Sequence, residues 1–362
     1  MSERLSLFPM NRDLCAVARY ATLLQGYDLT HLLMPKYLRM GGEDVSRLDG
    51  GTHVGLQLTD YNKDRLMECD VLYMDYDETI ASENFYKEIF IHAREMGVEV
   101  IPSNALKKKF NDIFDDLFAT AEVPFEITPA DDFLYDINIP VITVLSHGPC
   151  TDQLAVELAL RQHFVDAGYN VGQIGSHDAS KMFGFLSMPE FMLASGDTYE
   201  KTVRFNRYIK DLVSNEQFEI LVLGAPGAIV KYNNRLLQGL GVLPSAICNA
   251  VRSDVSIVCT YCGDYKNEYF SEISQFGEFR LGSPIYFYNV ANTTAAPDIS
   301  KENNTGVIPL TYTNVDSRFV LSILRNVKSD GYHLFNALDN DSVKEACIAV
   351  QNALSGNTPF MR

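Results

Sequence analysis

The sequence predicts an α/β protein built from two doubly wound, mostly parallel-sheet domains. Three observations predict it. Short apolar, strand-like runs alternate with helix-like segments in both halves of the chain. A proline-containing, acidic stretch at residues 120–138 interrupts this alternation, and the pattern restarts after it with the buried strand IPVITVLS. Strands that alternate with helices pair in parallel, and a break of this kind marks a domain boundary.

Composition limits the class of protein. The chain has 362 residues, of which 46% are hydrophobic and 21% charged, which suits two globular cores and argues against disorder. The formal net charge of −17 repels phosphate backbones and anionic lipid, so we expect neither a nucleic-acid nor a membrane partner. No signal peptide or long apolar span is visible, and seven scattered cysteines suit a reducing compartment. The predicted location is the cytoplasm.

The first half reads as a Rossmann-like α/β domain over residues 1–125. Strands are expected at RLSLFP, DLTHLLMP, HVGLQLT, CDVLYMD and VEVIPS. Helices are expected over 11–25, beginning at Asn11, over 81–96, ending at Gly97, and over 104–119, with a short polar helix at DYNKDRLME. The glycine-rich loop at 41–55 is either a binding loop or a flexible connector.

The second half reads as a P-loop-like α/β domain over residues 139–362. Strands are expected at IPVITVLS, YNVGQIG, EILVLGAPG, DVSIVCTYC and SPIYFYNV. Helices are expected over 151–167, 198–215, 315–328 and 340–354. Strand ends in such sheets face ligand crevices, so the residues that follow the strands are the candidates for function.

The first candidate site is the turn HGPCTD between the first strand and first helix of this domain. Gly148 allows close backbone approach, and Thr151 lies where N–H groups at a helix start point toward an anion. The expected ligand is a nucleotide with Mg²⁺. The Walker signature is absent, however, because Gln153 and its neighbours stand where lysine and a hydroxyl are needed, and Asp152 adds a negative charge. A purely structural turn remains the alternative.

The second candidate site follows YNVGQIG, where Ser176, His177 and Lys181 precede an aromatic-rich loop. His177 is the best general acid or base, since an unperturbed histidine titrates near neutral pH. Lys181 is the cation that the first turn lacks. These two are the predicted catalytic residues, with Ser176 as a ligand-binding residue. The alternative is a loop closed by its aromatic side chains.

The third candidate is the glycine turn after EILVLG, with Gly224 and Gly227. In a parallel sheet the ends of the strands meet at one edge, so Gly148, Ser176 and Gly224 are expected to lie along one crevice. We expect Gly148, Thr151, Ser176, Gly224 and Gly227 to bind the ligand.

The fourth candidate is the Cys259-Thr260-Tyr261-Cys262 pair, which has the spacing of a thiol–disulfide pair or half a metal site. Zinc or an iron–sulfur cluster is the corresponding cofactor. Buried cysteines that act as small apolar residues are the alternative.

Several of these segments, taken in order, resemble the clostridial peptide maturation system proteins: LFPMNRDLCAVARYATLLQGYDLTHLLMP, GGEDVSRLDGGTHVGLQL, CDVLYMD, GYNVGQIGSHDASKMFGFLSMPEFM, FNRYIKDLV and FEILVLGAPGAI. The second domain is similar to P-loop proteins of the dethiobiotin-synthetase type, without their lysine. The first resemblance implies an accessory or tailoring role beside ribosomally made, modified peptides. Its implied partners are a precursor peptide or a maturation enzyme.

The sequence therefore leaves three functions open. The leading one is a peptide-maturation protein with a degenerate nucleotide or phosphate pocket. The others are a non-catalytic module that binds a peptide or partner protein, and a metal or thiol-redox protein using Cys259 and Cys262. Whether the chain is an enzyme, and whether it forms oligomers, stays open.

Overall fold

The computed structural model describes residues 2–110, 133–283, 285–301, 308–327 and 331–356. The described chain divides into two compact units. The first comprises residues 2–49, 53–110 and 178–184, and the second residues 50–52, 133–177 and 185–356 with the gaps given above. Each unit contains a parallel sheet flanked by helices, so the predicted α/β class with two doubly wound sheets is confirmed.

The first unit contains five strands and three helices within its described residues. The strands are β1 (Glu3–Phe8), β2 (Tyr27–Met34), β3 (Leu58–Asp60), β4 (Val71–Met74) and β5 (Glu99–Pro102), and the helices are α1 (Cys15–Arg19), α2 (Glu83–Glu95) and α3 (Asn104–Lys109). The sheet order is β3-β2-β1-β4-β5, and every pairing is parallel. This order reverses direction between β1 and β4, as in Rossmann-type sheets.

One face of this sheet packs against α2 and α3 through a buried apolar cluster. Phe8, Leu72 and Met74 meet Tyr86 and Ile89 of α2 there. Helix α2 begins where the Ser82 hydroxyl caps the Phe85 N–H, and it is followed by Gly97 in the left-handed region, as predicted. The unit is therefore organised around the apolar periodicity of its sequence.

Two helices of the first unit differ from prediction. The helix expected over 11–25 is wrong in length. Asn11 accepts the Leu14 N–H, but α1 covers only Cys15–Arg19, and the chain tightens into a 3₁₀ turn over Ala21–Leu23 before Gly26 reverses it at φ 82°. DYNKDRLME forms a 3₁₀ helix, Lys63–Glu68. The helix expected over 104–119 is described only up to Lys109, and the boundary predicted over 120–138 lies mostly outside the described residues.

The second unit contains nine strands and seven helices among the described residues. The strands are β6 (Val141–Ser146), β7 (Val171–Gly175), β8 (Leu186–Ser187), β9 (Ile220–Ala228), β10 (Val255–Thr260), β11 (Ile285–Val290), β12 (Thr293–Pro297), β13 (Leu310–Asn314) and β14 (His333–Phe335). The helices are α4 (Gln153–Asp166), α5 (Glu190–Leu193), α6 (Thr198–Glu216), α7 (Val242–Ala250), α8 (Asn267–Phe276), α9 (Ser317–Leu324) and α10 (Asn340–Leu354).

Seven of these strands form one parallel sheet in the order β14-β11-β10-β6-β9-β7-β8, while β12 and β13 form a separate antiparallel hairpin. A large apolar cluster joins one face of the sheet to α6, α7 and α8, with Phe205, Ile247 and Phe270 at its centre. Helices α4 and α10 are linked by a 2.8 Å contact between His163 Nε2 and Gln351 Oε1. The central strand β6 is buried at every residue, which places its carboxyl end in the middle of the sheet edge.

The sequence reasoning missed α7, α8, the hairpin and the short strands β8 and β14. Helix α7 is a nine-residue segment whose only polar side chains are Ser245 and Asn249, too few to give it a visible period in the sequence. None of the described helices combines the length and the apolar character that a bilayer crossing requires.

Candidate functional site

The loop from His147 to Asp152 joins the buried end of β6 to the start of α4. Gly148 has φ +151°, and two non-glycine residues, Cys150 and Asp152, both have φ +60°. That region is unfavourable for L-residues by about 1–2 kcal/mol each. Thr151, between them, is not in this region, so backbone handedness alternates along the loop. Such alternation turns successive N–H groups toward one concave side, which is a shape that binds anions.

A buried group of three asparagines holds this loop in place. We call Asn289, Asn292 and Asn336 the asparagine network; all three are fully buried. Asn289 Nδ2 donates to the Thr151 carbonyl at 3.0 Å, and the Asn292 N–H donates to Asp152 Oδ2 at 3.1 Å. The strained backbone is thus fixed from the end of β11, by the Asn289 side chain and the Asn292 backbone N–H, while Asn336, after β14, holds Asn292.

The network is itself tightly bonded. Asn336 Nδ2 donates to Asn292 Oδ1 and to the Val290 carbonyl, each at 2.7 Å, and Asn292 Nδ2 lies 2.7 Å from the Ser317 hydroxyl. The sequence reasoning missed these residues. A signal was present in the sequence, because asparagines stand in or directly after the two apolar runs YFYNVAN and HLFN. An amide buried at such a position needs a hydrogen-bond partner.

The N-terminus of α4 carries no side-chain cap. Asp152 stands at the cap position, but its side chain does not accept from the helix, because it accepts from Asn292 instead. The Thr151 hydroxyl donates to the Gly148 carbonyl at 2.9 Å, and Gln153 Nε2 donates to the Val144 and Ala225 carbonyls. The first N–H groups of any α-helix lack acceptors within the helix, so those of α4 remain available to a ligand.

Two side chains pack directly on Gly148. A Cβ on this residue would stand 2.4 Å from Tyr261 Oη and 2.8 Å from Gln238 Nε2. Tyr261 is 7% exposed, and its hydroxyl approaches Gln238 and Tyr312 without making a hydrogen bond of normal geometry. Burial raises the pKa of Tyr261 well above its ordinary value, so the group stays a protonated hydroxyl donor at neutral pH. An unsatisfied donor therefore lies beside the loop.

His147 belongs to a different cluster. Its Nδ1 lies 2.7 Å from Tyr269 Oη and 3.1 Å from the Thr260 hydroxyl, and Tyr265 Oη also reaches that hydroxyl at 2.7 Å. Burial lowers the pKa of His147 to about 4. The imidazole is therefore neutral at physiological pH and serves as a packed, hydrogen-bonded group.

Ser176 and Gly224 come together around Glu157 of α4. A Cβ on Gly224 would stand 2.2 Å from Glu157 Oε1 and 2.5 Å from the Ser176 nitrogen, which explains why glycine is needed there. The Ser176 N–H donates to Glu157 Oε2 at 3.1 Å, whereas Oε1 has no hydrogen-bond partner. Burial raises the pKa of Glu157 to about 7. The sequence reasoning missed this carboxyl, which sits in an otherwise apolar helix face.

Among the remaining predicted site residues, Gly227 lies beside the end of β6, directly before the loop. Gly227 accepts the Ser146 hydroxyl through its carbonyl at 3.1 Å. His177 is half-buried after β7 in the second unit, whereas Lys181 is exposed in the 3₁₀ segment Asp178–Phe183, which belongs to the first unit. The structure brings Gly148 with Thr151, and Ser176 with Gly224. The binding and catalytic roles of all seven residues stay predictions.

Cys259 and Cys262 are both buried, at 0% and 6% exposure. Burial raises the pKa of each thiol, which disfavours the reactive thiolate. In the part of the chain that the structure describes, no three His, Cys, Asp or Glu side chains are grouped so as to hold a metal ion. The arrangement suits two small buried side chains, and the metal or redox role stays a prediction without further support.

No protein-family model and no curated protein sequence matches the chain. Among solved structures, a DUF1611 family protein from Anabaena variabilis is similar over 98% of this chain and 99% of its own length, with a TM-score of 0.58 and 10% identity. A pseudomurein peptide ligase type C from Methanothermus fervidus is similar over 76% of this chain and 43% of its own, with a TM-score of 0.25 and 11% identity, which is too low to carry an argument. The chain is thus linked to the DUF1611 protein by fold, over nearly its whole length.

Proposed function

We propose that the second unit binds a phosphate-bearing ligand, with a nucleotide as the leading candidate, at the loop His147–Asp152. One observation carries the proposal. A strained loop, fixed by the asparagine network, runs into an uncapped fourteen-residue helix, and the buried, unsatisfied Tyr261 hydroxyl packs on its glycine. Backbone N–H groups and a hydroxyl are donors, and a phosphate oxygen is the acceptor that suits them.

The residues favour binding over hydrolysis. No lysine occupies the loop, and Asp152 adds a buried negative charge at its end. Thr151 already donates to Gly148, and Asp152 already accepts from Asn292, so neither is placed as a free magnesium ligand. A bound Mg²⁺ would be held by the phosphates of the nucleotide itself, with the loop binding the outer oxygens.

The biological setting that we propose is the maturation of a ribosomally made peptide in the cytoplasm, as an accessory or tailoring protein. It is supported by the resemblance of the segments from LFPMNRD to FEILVLGAPGAI to the clostridial peptide maturation system proteins. The partner in this setting is a precursor peptide or a maturation enzyme.

Calorimetric titration with inorganic pyrophosphate, ADP and ATP, each with and without Mg²⁺, tests the site. We expect the wild type to bind at least one of them in the micromolar to millimolar range. Gly148→Ala should weaken binding about ten-fold or more, because the added methyl would collide with Tyr261 Oη and Gln238 Nε2 and so distort the loop. The absence of heat and of any thermal shift at millimolar concentration would overturn the proposal.

The matched control is Gly168→Ala. Gly168 also has a positive φ, +89°, in the same unit, but a Cβ there meets nothing within 4 Å. Gly168→Ala should therefore lower stability through its unfavourable backbone conformation but leave ligand binding unchanged. If both variants lose binding equally, the effect is one of folding and the loop is not the site.

A second candidate function is a module that binds a peptide without chemistry. The observation that favours it is the net charge of −17, which attracts a basic peptide segment. This function would be supported over the first if the protein binds a lysine-rich peptide with an affinity that falls steeply with salt, and binds none of the phosphate probes.

A further inference from the structure

The connection between β9 and α7 lies against the same loop. We call residues Lys231–Gly241 of this connection the cover loop. Its Gln238 side chain packs on the open side of Gly148, where a Cβ would stand only 2.8 Å from Gln238 Nε2. The cover loop therefore packs directly on the loop to which we assign the ligand.

The tip of the cover loop has an unfavourable backbone. Four consecutive residues, Gln238 to Gly241, have φ of 46°, 74°, 55° and 70°. Glycine accepts this region, but Gln238 and Leu240 do not, and L-residues normally visit it singly. A left-handed turn of this length stores strain that another conformation would release.

The closed arrangement also leaves polar atoms unsatisfied. Gln238 Oε1 and Tyr261 Oη are buried without a hydrogen-bond partner. Nearby, Leu237, Leu240 and Val242 are 46%, 56% and 50% exposed, so little apolar packing holds the tip in place. Two backbone hydrogen bonds hold the turn, from the Leu240 N–H to the Leu237 carbonyl at 2.8 Å and from the Val242 N–H to the Gly239 carbonyl, but little burial offsets its strain.

The two ends of the cover loop are fixed in contrast to its tip. Tyr232 Oη donates to the Ala295 carbonyl at 2.9 Å. Gly241, the last residue of the turn, lies so close to Ile229 that a Cβ would stand 2.1 Å from the Ile229 carbonyl oxygen, so the part of the tip that can move is Gln238–Leu240. A tip held weakly between two fixed ends is able to move without unfolding its surroundings.

We propose that the cover loop is a built-in competitor for the anion site, in which the Gln238 amide takes the place of the ligand. Ligand binding displaces Gln238, releases the left-handed turn, and provides an acceptor for the Tyr261 hydroxyl. The inference rests on the proposed phosphate site and adds its regulation. Apparent affinity is then the intrinsic affinity multiplied by the open fraction of the cover loop.

Titration of the full chain with inorganic pyrophosphate, repeated with Mg-ATP, tests the inference. Gln238→Ala removes the competitor and should tighten binding about five-fold. Leu240→Gly makes the closed turn easier to adopt and should weaken binding about three-fold. Tyr261→Phe should weaken binding because the ligand loses a hydrogen-bond donor, and Gln275→Ala, an exposed glutamine of α8, should leave affinity unchanged.

Hydrogen exchange gives a second readout. The amides of Gln238–Leu240 should exchange faster when pyrophosphate is bound, although ligands usually slow exchange. If wild type, Gln238→Ala and Leu240→Gly bind equally well, the cover loop is not a competitor, while the phosphate site stands. If no variant binds either probe, both proposals fail together.

Discussion

Two loops of this protein contain glycine and acidic residues. The polar groups of one loop are hydrogen-bonded, whereas those around the other lack some of their hydrogen-bond partners. In the acidic loop of the first unit (residues 43–49 and 53–55), Asp44 accepts the N–H groups of Ser46, Val54 and Gly55 at 2.8–3.2 Å. These bonds lower the pKa of Asp44 to about 2 despite the opposing effect of burial. Asp49 is held by both arms of Arg19, at 2.7 Å each.

In the loop His147–Asp152 of the second unit, the surrounding groups are incompletely satisfied. Tyr261 Oη and Gln238 Oε1, whose side chains pack on Gly148, are buried without partners, and so is Glu157 Oε1 in α4, the helix that follows the loop. Beside the acidic loop, Asp60 Oδ1 near Gly41 is likewise buried without a partner. Native structures rarely leave buried polar atoms unpaired, so a concentration of them points to function, whereas a satisfied loop points to structure.

The largest effect that tests this contrast is expected in the acidic loop. Asp49→Asn leaves the buried Arg19 guanidinium without its charge partner and should lower the free energy of unfolding by about 3–5 kcal/mol. Urea unfolding followed by far-UV circular dichroism measures it. Asp70→Asn is the control, because the Arg4–Asp70 pair is exposed and its loss should not register. Equal stability of Asp49→Asn and wild type would contradict a structural role for the loop.

The second effect concerns pH and has opposite signs at Asp44 of the acidic loop and at Glu157 of α4. The pKa of Asp44 is lowered in the folded state, so its stabilisation is present above about pH 4 and is lost as pH falls toward 2. The pKa of Glu157 is raised from 4.5 to about 7, so stability is greatest below pH 4.5 and declines as pH rises toward 7. Glu157→Gln should abolish this decline, a difference of up to about 3 kcal/mol.

The measurement is urea unfolding of wild type and Glu157→Gln at pH 5 and pH 7.5. Glu268→Gln, an exposed glutamate of α8, is the control for general charge effects. A constant difference between wild type and Glu157→Gln across this range would show that Glu157 is ionised throughout.

The sequence allowed the two sheets and most of their strands to be predicted, because apolar runs and helix caps are local signals. It also located the turn at Gly148. The asparagine network could not be predicted, since its members come from the ends of β11 and β14, more than 130 residues after Thr151, and meet only in the folded sheet. The roles of Tyr261 and Gln238 could not be predicted for the same reason. Both pack on Gly148 in the folded protein but are distant from it in the sequence.

A smaller effect is expected from the asparagine network. Asn289→Ala removes the donor to the Thr151 carbonyl and the acceptor of the Ala337 N–H, and should cost about 2 kcal/mol. It should also weaken pyrophosphate binding, since the loop loses its support. Asn326→Ala, an exposed residue at the end of α9, is the control. Lost stability with unchanged binding would separate the network from the site.

The smallest effect is also the most discriminating. Tyr261→Phe should change the free energy of unfolding by less than about 0.5 kcal/mol, because the hydroxyl that it removes has no hydrogen-bond partner. Tyr288→Phe is the matched control: its hydroxyl is buried in the same unit and donates to the Phe270 carbonyl at 2.9 Å. Its removal should cost about 1–2 kcal/mol by leaving that carbonyl unsatisfied. If Tyr261→Phe destabilises the protein as much as Tyr288→Phe, the Tyr261 hydroxyl has a structural partner. The strongest observation behind the contrast between the two loops would then be wrong.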